Sequence, residues 1–518
     1  MILTKSKYVE FVMCPRKSWL NLFEPQKSLD EENKRALEGQ KVGEIARDYF
    51  GKNKCVMYDE KNPTKAPGIY AEYLLEYQNL KCYCDIVVIN NDGSFDIYEV
   101  KSVTDYDKKK FVEDVSFQYY VATKLNINVN SVNLMYLNNE YIYDGINLEL
   151  KKLFIYKDLT LEVCERIDII ENNIENYFKL DKKAIPTCPF SKWCNENGGC
   201  QYLLKCKEIK KLPLKHSSYE LYDCKNKNDY IENGLLTWED IYNSEKYDDL
   251  SDYNKIMLKH FINKDNSLFI RSKELKELMS TWKYPLYFFD FETCQEVIPI
   301  YANSRPYAQI PFQYSLHIMN NPNDTESEII NNHKEFIGNG VDDPREDLIK
   351  QMISDLGTVG SIVAYYSSFE ETIVDKLARD FPKYKNELLA IKERFVDLRD
   401  VFSYKKPYIH EFKRGDKKGT TEVRYEKGIT CLYHPSMENS TSIKKVLPSF
   451  FPEREDLNYN NLNQVHHGQE AIDAYKLLRT LEGTKREELL DNMLKYCYLD
   501  TKAMVVLFLK FREYFLIF

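Results

Sequence analysis

The chain alternates between short apolar runs and segments whose apolar residues have helical spacing, a pattern typical of α/β proteins. Lys81–Ile89 alternates apolar and polar residues like a half-buried strand, and Asn90–Ser94 is a strong turn signal before a returning strand at Phe95–Val100. Tyr284–Phe289 is apolar throughout, as expected of a buried strand. This alternation of strands with helical segments predicts an α/β fold in both halves of the chain.

Helical periodicity marks several other segments. Residues 1–50 have helical spacing with Ser6 as a candidate N-cap, 160–180 predicts an amphipathic helix, and 489–508 (LLDNMLKYCYLDTKAMVVLF) is strongly helical. The 518 residues suggest two to four domains. We expect a first domain over 1–206, a polar helical linker over 207–283 and a second α/β domain over 284–518.

Composition narrows the class of protein. With 72 Lys+Arg and 81 Asp+Glu, the net charge of −9 excludes a uniformly basic nucleic-acid coat but allows a local basic channel. We see neither a signal core nor an apolar run of ~18 residues, so we expect a cytoplasmic protein with no membrane partner. Thirteen cysteines do not fit a disulfide framework in that compartment, and we expect some of them to bind metal. No Walker A motif occurs, which predicts no ATP site.

The predicted hairpin carries the first candidate site. If it is centred near Asp92, Asp85 and Glu99 face each other with Cβ atoms ~4.5–5.5 Å apart. Two such carboxylates repel each other unless a proton or cation intervenes, so they suit Mg²⁺ or Mn²⁺. Lys101 lies on the same face and could orient an attacking water. The alternative is a solvent-facing hairpin that carries these charges on its polar side.

Two neighbours extend this set. Glu72 lies on the preceding segment, and the helical stretch 114–125 (DVSFQYYVATKL) offers Gln118. The combination resembles the PD-(D/E)xK nuclease core, in particular its RecB-like branch. The resemblance implies that Asp85 and Glu99 bind metal, Lys101 orients the nucleophile, and Glu72 and Gln118 support them.

A group of cysteines flanks this predicted core. Thiolate clusters bind Zn²⁺ or iron–sulfur centres, and this group has no paired CxxC knuckle of a zinc ribbon. One cysteine before the core and several after it resemble the iron–sulfur staple of AddB-type and CRISPR-associated RecB-like nucleases. The resemblance implies a [4Fe–4S] cluster, with Zn²⁺ or unligated thiols as alternatives. The expected ligands are Cys14, Cys188, Cys194 and Cys200, with Cys206 a substitute for any of the last three.

The second half offers another carboxylate set. Asp290 and Glu292 share one face at the end of an apolar strand, where two buried charges are costly unless a cation compensates them. Tyr496 and Asp500 share one face of the C-terminal helix. Glu370 begins a helix after a strand, which is also an ordinary place for a carboxylate. Four carboxylates from separate segments can build a two-metal site for phosphodiester cleavage.

This order of motifs resembles the DEDD-type 3′–5′ exonucleases of RNase H-like fold, in their tyrosine variant. The resemblance implies that Asp290, Glu292, Glu370 and Asp500 bind Mg²⁺ or Mn²⁺ and that Tyr496 orients the attacking water. Asp397 is a candidate supporting carboxylate or a helix cap. The stretches PFQYSLH, YYSSFEE, SIKKVLPSFFP and YCYLDTKAM resemble a bacterial domain-of-unknown-function family that joins both kinds of domain.

The chain departs from these patterns at two positions. Ala122 stands where the RecB-like helix motif usually has a tyrosine, with Tyr119 and Tyr120 as the nearest substitutes, and Glu370 stands where the exonucleases usually have aspartate. We expect a bifunctional nuclease with an N-terminal DNase site and a C-terminal 3′–5′ exonuclease site. It would act on single-stranded DNA or RNA in repair or foreign-DNA defence, with any helicase or repair or defence partner on a separate chain. The alternatives are a nucleic-acid end-binding module with one or both sites silent, or a single nuclease in the second half.

Overall fold

The computed structural model describes residues 1–26, 30–106, 108–195, 199–414 and 417–516. They form two compact units, one comprising Met1–Lys211 with Glu296–Ala308 and the other Leu212–Gln295 with Gln309–Phe518. Each unit contains a mixed β-sheet and several helices, so the predicted α/β class is confirmed.

The first unit is built on a mixed sheet with seven strands among its described residues. These strands are β1 (Leu3–Thr4), β2 (Cys55–Met57), β3 (Gly68–Tyr77), β4 (Leu80–Ile89), β5 (Phe95–Lys101), β6 (Val129–Leu137) and β7 (Phe154–Asp158). The spatial order is β2-β3-β4-β5-β6-β7, and β1 pairs in parallel with the start of β4. The β4–β5 hairpin surrounds the predicted turn and pairs Ile86 with Tyr98, so the next pair in this register sets Asp85 opposite Glu99.

Helices cover this sheet. They are α1 (Lys5–Met13), α2 (Pro15–Phe23), α3 (Asp30–Arg47), α4 (Lys108–Lys124), α5 (Leu150–Leu153), α6 (Thr160–Cys164), α7 (Ile167–Phe178) and α8 (Leu203–Ile209). Thr4, rather than Ser6, caps α1, because the Thr4 hydroxyl accepts the Lys7 N–H at 3.4 Å. The helix predicted over 160–180 is two helices, α6 and α7. Buried Tyr8, Phe117 and Tyr177 pack α1, α4 and α7 into one core.

The second unit has a five-stranded mixed sheet among its described residues, in the order β11-β10-β9-β12-β13. The strands of the whole unit are β8 (Phe269–Ile270), β9 (Leu286–Gln295), β10 (Gln309–Met319), β11 (His333–Ile337), β12 (Ser361–Ala364), β13 (Phe395–Asp397), β14 (Pro407–Arg414), β15 (Lys417–Tyr425) and β16 (Leu432–Tyr433). Of these, β14 pairs with β15 and β8 with β16, each as a separate two-stranded sheet. The central strand β9 pairs antiparallel with β10 and parallel with β12. Its aromatic run is buried on both faces, as its continuous apolar sequence predicts.

Long and short helices surround this second sheet. They are α9 (Lys227–Glu232), α10 (Trp238–Tyr242), α11 (Asp252–Asn263), α12 (Ser272–Met279), α13 (Glu326–Asn331), α14 (Arg345–Leu356), α15 (Ser368–Asp380), α16 (Lys385–Lys392), α17 (Ile443–Phe450), α18 (Gly468–Leu477) and α19 (Gly483–Leu516). The last of these contacts both β9 and β10. Among the described residues, no helix has the length and apolar character that a membrane span requires.

The segment predicted as a separate linker is largely part of the second unit. Residues 212–283 join that unit because β8 pairs with β16 and because Tyr253, Met257 and Leu258 of α11 are buried. Residues 296–308, within the predicted second domain, belong to the first unit, where Ile298 packs in a core with Val42. Both differences come from contacts between segments that are distant in sequence.

Candidate metal centres

The second unit brings three acidic side chains together where β9 meets α19. One carboxylate oxygen each of Asp290, Glu292 and Asp500 lies within 4.8 Å of the others. Asp290 and Glu292 project from one face of β9 because they are two residues apart, and α19 crosses that face. The aromatic strand and the long apolar helix therefore fix the position of these charges.

Glu370 lines the same cavity from the first turn of α15. Its side chain is buried, with 3% of the residue exposed, and its Oε2 atom has no hydrogen-bond partner among the described residues. A buried charged oxygen without a partner is unfavourable unless a proton or cation compensates it. Glu370 is thus a fourth carboxylate of this cavity, beside the group of three within 4.8 Å.

Burial dominates the electrostatics of this cluster. It raises the pKa of Asp290, Glu292 and Glu370 well above the usual carboxyl range, and mutual repulsion raises these pKa values further. Burial also raises the pKa of Asp500, to about 6, although the Tyr459 hydroxyl and Lys444 act in the opposite direction. A set of carboxylate oxygens that favours protons in this way also fits a hard divalent cation.

Two tyrosines and a lysine border the carboxylates. The Tyr459 hydroxyl donates to Asp500 Oδ1 at 2.6 Å, and Tyr496 lines the cavity one helical turn before Asp500. Lys444 Nζ lies 4.9 Å from the ring centroid of Tyr459 and donates to the His466 carbonyl at 2.6 Å. Sequence reasoning identified Tyr496 but missed Tyr459 and Lys444, although Lys444 stands in the stretch SIKKVLPSFFP.

The cavity has a volume of about 290 Å³ and an aromatic side. Tyr365, Tyr366 and Phe369 line it near Glu370, and Ile443 and Met504 add apolar surface. Asp397, a candidate supporting carboxylate, does not line this cavity in the described structure. It caps a short 3₁₀ helix and accepts backbone N–H groups of the turn before α15.

In the first unit, Glu99 is the centre of a second charged site. It is 2% exposed, and Lys5 Nζ donates to both of its carboxylate oxygens at 2.7 Å. Lys101 Nζ donates to Glu99 Oε1 at 2.8 Å, and Gln118 Nε2 donates to Oε2 at 2.5 Å. Lys101 also pairs with Asp114 at 3.0 Å. Glu99 therefore has strong donors on both oxygens.

The two facing carboxylates of the hairpin differ in pKa. Burial and the charge of Glu99 raise the pKa of Asp85 to about 7, while its Oδ2 accepts the Val100 N–H at 2.7 Å. Burial would also raise the pKa of Glu99, but Lys101 and Lys5 outweigh it and lower the pKa to about 2. Asp85 can therefore hold a proton near neutral pH while Glu99 stays ionised.

Asp85, Glu99 and Lys101 line a cavity of about 450 Å³, whereas Gln118 is not among the described residues that line it. Glu72 lines it as well, and its Oε1 accepts from Arg47 at 3.1 Å. The residues that sequence reasoning missed here are Lys5, Arg47 and Asp114. All three lie outside the hairpin: Asp114 begins the helical stretch 114–125, whereas Lys5 and Arg47 carry no motif of their own.

Neither substitute for the missing tyrosine lines this cavity among the described residues. The Tyr120 hydroxyl donates to Glu171 at 3.0 Å, and the Tyr119 hydroxyl accepts from Cys164 at 3.1 Å. Ala122 is fully buried in the core. The hydroxyls of Tyr119 and Tyr120 therefore bond elsewhere, and neither residue brings to this cavity the tyrosine that the RecB-like motif usually has at the position of Ala122.

The predicted cysteines lie in one neighbourhood of the first unit. Cys14 Sγ and Cys188 Sγ are 3.6 Å apart, and Cys200 N–H donates to the Cys194 carbonyl at 2.9 Å. Electrostatic interactions link Cys206 with Cys14 and Cys200. The hydrogen bond with Cys14 lowers the pKa of Cys188 to about 7, against burial and with help from Arg16. A thiol with this pKa is partly ionised at neutral pH, as a metal ligand must be.

Comparison with known proteins matches part of the chain. Residues 287–442 match a family described as "Domain of unknown function (DUF2779)". The matched segment includes Asp290, Glu292 and Glu370. The chain is 26% identical over 257 residues to "Uncharacterized protein MG366" of Mycoplasma genitalium, covering 45% of this chain and 33% of that protein. It is 24% identical over 280 residues to the MG366 homolog of Mycoplasma pneumoniae, covering 51% of this chain and 38% of that protein. The chain thus spans about a third of the length of these curated relatives.

Proposed function

We propose that the protein is a metal-dependent nuclease that hydrolyses phosphodiester bonds of single-stranded nucleic acid. The observation that carries this proposal is the convergence of Asp290, Glu292, Glu370 and Asp500 on one small cavity. Three of them come within 4.8 Å of one another, and the fourth has a buried oxygen with no partner in the described residues. Such a concentration of negative charge beside an apolar core suits divalent cations better than any structural role.

The donor set fits Mg²⁺ or Mn²⁺ because every candidate ligand is a carboxylate oxygen. When bound, such ions supply charge stabilisation and water activation for phosphodiester hydrolysis. Tyr496 would orient the attacking water by hydrogen bonding, and the Tyr459 hydroxyl holds one Asp500 oxygen in place. Lys444 adds a positive charge at the wall of the cavity, where it would attract a phosphate.

The shape of the site favours cleavage at a strand end. A cavity of about 290 Å³ suits an unpaired strand end better than a duplex. Together with the order of the carboxylate motifs, this supports a DEDD-type 3′–5′ exonuclease activity on DNA or RNA. A role in DNA repair or in defence against foreign DNA would supply such strand ends.

The first unit would add a RecB-like DNase site. Asp85 and Glu99 would hold the metal, Lys101 would orient the nucleophile, and Glu72 and Gln118 would support them. The neighbouring cysteines would hold a [4Fe–4S] cluster that joins the N-terminal segment to the end of the unit. This part rests on the predicted hairpin register and on the proximity of Cys14 and Cys188.

One observation favours a second candidate function for the first unit. Lys5, Lys101 and Gln118 already satisfy both oxygens of Glu99, so a cation must compete with two ammonium groups. A site neutralised in this way could bind a nucleic-acid end without cutting it. The alternative is thus an end-binding module in the first unit beside an active nuclease in the second.

Digestion of end-labelled oligonucleotides tests these assignments. Single-stranded DNA and RNA, labelled at either the 5′ or the 3′ end, are incubated with Mn²⁺ and with the wild type, Asp290→Ala or Lys101→Ala. Glu487→Gln on α19 is the matched control, because Glu487 is an exposed carboxylate on the helix that carries Asp500. We expect Asp290→Ala to abolish 3′–5′ trimming and Lys101→Ala to abolish any separate DNase activity.

The possible results separate the candidates. If only Asp290→Ala loses activity, the end-binding assignment of the first unit replaces the DNase assignment. If the wild type cuts no substrate with Mg²⁺ or Mn²⁺, the nuclease proposal is wrong for both units. If Glu487→Gln loses as much activity as Asp290→Ala, the loss does not report on the carboxylate site.

A further inference from the structure

The turn between β12 and α15 holds an exposed aromatic ring at the carboxylate cavity. Tyr366 is 53% exposed and lines the cavity beside Glu370. Its backbone has φ of +81°, in the left-handed region that bulky side chains rarely adopt. An exposed aromatic residue in a strained conformation at the mouth of a charged cavity calls for a functional explanation.

Several contacts hold this conformation in place. Asp397 Oδ1 accepts the Tyr366 N–H at 2.9 Å, and Asp397 Oδ2 accepts the Ser367 N–H at 3.1 Å. The Arg399 guanidinium lies 4.9 Å from the centroid of the Tyr366 ring. Arg399 is itself fixed by hydrogen bonds to Thr441 and Tyr222. The turn and one side of the ring are therefore supported by the protein.

Glycine would be the least strained residue at this position, because it adopts positive φ without steric conflict. Tyr307 is another tyrosine with a positive φ, of +55°. The Tyr307 hydroxyl bonds to Ser102, so its side chain has a structural role. The Tyr366 hydroxyl has no hydrogen-bond partner among the described residues, and more than half of the residue faces solvent. The contact of one ring face with Arg399 thus leaves the other face of Tyr366 and its hydroxyl without an internal role among the described residues.

We propose that the Tyr366 ring is a stacking subsite for a nucleobase at the end of the bound strand. This inference rests on the proposed nuclease function of the second unit. The carboxylates would take the scissile phosphate, and the adjoining base would lie on the solvent-facing side of Tyr366, opposite Arg399. Aromatic rings stack on every kind of base, so this subsite would select an unpaired end without reading its sequence.

The charges around the ring fit this ligand. Arg399 behind the ring supports a cation–π contact and a flat surface, while Lys444 on the cavity wall suits a phosphate. Phe369 lies in the same cavity and adds a second apolar surface. The strand end would therefore meet aromatic surface at its base and positive charge at its backbone.

Binding of two oligonucleotides tests this subsite. One single-stranded DNA carries a normal base at its 3′ end and the other carries an abasic residue there; both are fluorescent at the 5′ end and are titrated with protein in Ca²⁺. We expect the wild type to bind the normal end about 5- to 150-fold more tightly, the range for stacking on one aromatic side chain. Tyr366→Gly should bind both oligonucleotides equally, and Tyr366→Phe should discriminate like the wild type.

Stability measurements separate this effect from misfolding. Tyr366→Gly removes the strain of a bulky side chain at positive φ. We therefore expect the thermal midpoint of this variant to be no lower than that of the wild type, and up to about 2–4 °C higher. Tyr425→Gly is the matched control, since Tyr425 is an exposed tyrosine of the same unit that does not line the cavity. It should keep the discrimination between the two ends.

Two results would overturn the subsite. These are equal binding of both oligonucleotides by the wild type, and unchanged discrimination in Tyr366→Gly. Incubation of the same oligonucleotides with Mn²⁺ distinguishes failure of the subsite from failure of the nuclease. Discrimination without cleavage would support the subsite and contradict the nuclease proposal. Cleavage without discrimination would contradict the subsite alone, and no binding at all would contradict both.

Discussion

Glu370 is a buried carboxylate whose pKa depends on its carboxylate neighbours. Because burial raises the pKa of Glu370, Asp290 and Glu292 in the folded state, these three carboxyls bind more protons in the metal-free folded protein than in the unfolded chain. Their contribution to stability should therefore rise as the pH falls, down to the ordinary carboxyl pKa near ~4. For Asp500 the rise should begin near its raised pKa of about 6.

Replacing Glu370 by glutamine tests this reasoning. We expect Glu370→Gln to raise the free energy of unfolding in EDTA at pH ~8 by about 1–3 kcal/mol, because it removes one buried charge. The gain should shrink as the pH falls, and it should reverse when Mn²⁺ is added, because the variant loses a ligand. Thermal unfolding of both proteins across this pH range gives the comparison. A variant less stable than the wild type in EDTA would show that Glu370 is already compensated.

The Tyr459 hydroxyl donates a hydrogen bond to Asp500 and, among the described residues, to no other carboxylate of the cavity. Removing it in Tyr459→Phe should leave the fold intact and let the Asp500 carboxylate rotate. Partners of this kind typically change metal affinity ~10–100-fold, so we expect Mn²⁺ to bind about tenfold more weakly. Mn²⁺ titration followed by electron paramagnetic resonance measures this, with Tyr425→Phe as the control. Equal affinity in both variants would mean that Tyr459 does not position Asp500.

Among single residues, the sequence identifies those that belong to a short strand-like or helical spacing. Asp290 and Glu292 follow an apolar run, and Tyr496 and Asp500 are one helical turn apart, so local periodicity places each pair on one face. Tyr459 lies in an irregular, asparagine-rich segment, where no periodicity predicts the direction of a side chain. Its hydrogen bond to Asp500 depends on the path of the chain between α17 and α18.

At the scale of elements, the hairpin is the feature that the sequence predicts best. Alternating apolar residues and a turn of Asn, Asp and Gly fix both its position and its register, so the Asp85–Glu99 juxtaposition follows. The break between α6 and α7 has no such signal, because Glu165 and Arg166 are ordinary helix residues. The pairing of β1 with β4 is equally hidden, since a strand of two residues leaves no pattern.

The pairing of β1 with β4 places Lys5 next to Glu99. Lys5 follows β1 directly and compensates a buried carboxylate, so Lys5→Met should leave Glu99 with Lys101 as its remaining cation among the described residues. We expect the free energy of unfolding at pH ~7 to fall by about 3–5 kcal/mol, the range for one lost partner of a buried pair. Mn²⁺ should restore part of this loss, because the cation replaces the ammonium group.

Denaturant unfolding with and without Mn²⁺ measures both effects. Lys7→Met is the matched control, since Lys7 is an exposed lysine on the same helix. Because the folded-state pKa of Glu99 is about 2, the stability from its ion pairs is present above pH ~4 and is lost as the pH falls towards 2. If Lys5→Met is no less stable than Lys7→Met, Lys5 does not compensate Glu99.

At the scale of the whole molecule, the sequence predicts the class of each half but not which segments belong together. Residues 212–283 read as a polar helical linker with short apolar anchors, yet such anchors, among them Tyr253, Met257 and Leu258 of α11, are buried in the second unit. Residues 296–308 follow a strand of the second sheet but belong to the first unit. Such membership depends on contacts between distant segments, which local patterns do not encode.

The cysteines connect distant parts of the first unit in the same way. Cys14 lies between α1 and α2, whereas Cys188 follows the sheet and all of its helices except α8. If a [4Fe–4S] cluster binds here, protein purified without oxygen should contain about four iron and four sulfide per chain and absorb broadly in the visible. Cys14→Ser should lose this iron and lower the thermal midpoint of the first unit, because the N-terminal helices are then no longer tied to residue 188.

Single serine variants of Cys188, Cys194, Cys200 and Cys206 then identify the other ligands, because the variant that keeps iron marks the residue that is not a ligand. Burial raises the pKa of both Cys200 and Cys206, so electrostatics do not distinguish these two thiols. Cys164→Ser is the matched control, since Cys164 is an exposed thiol of the same unit that bonds to Tyr119. Bound zinc in place of iron would keep the staple and change the metal. No metal in the wild type, with Cys14→Ser as stable as Cys164→Ser, would mean that the close Cys14–Cys188 pair is a contact of free thiols.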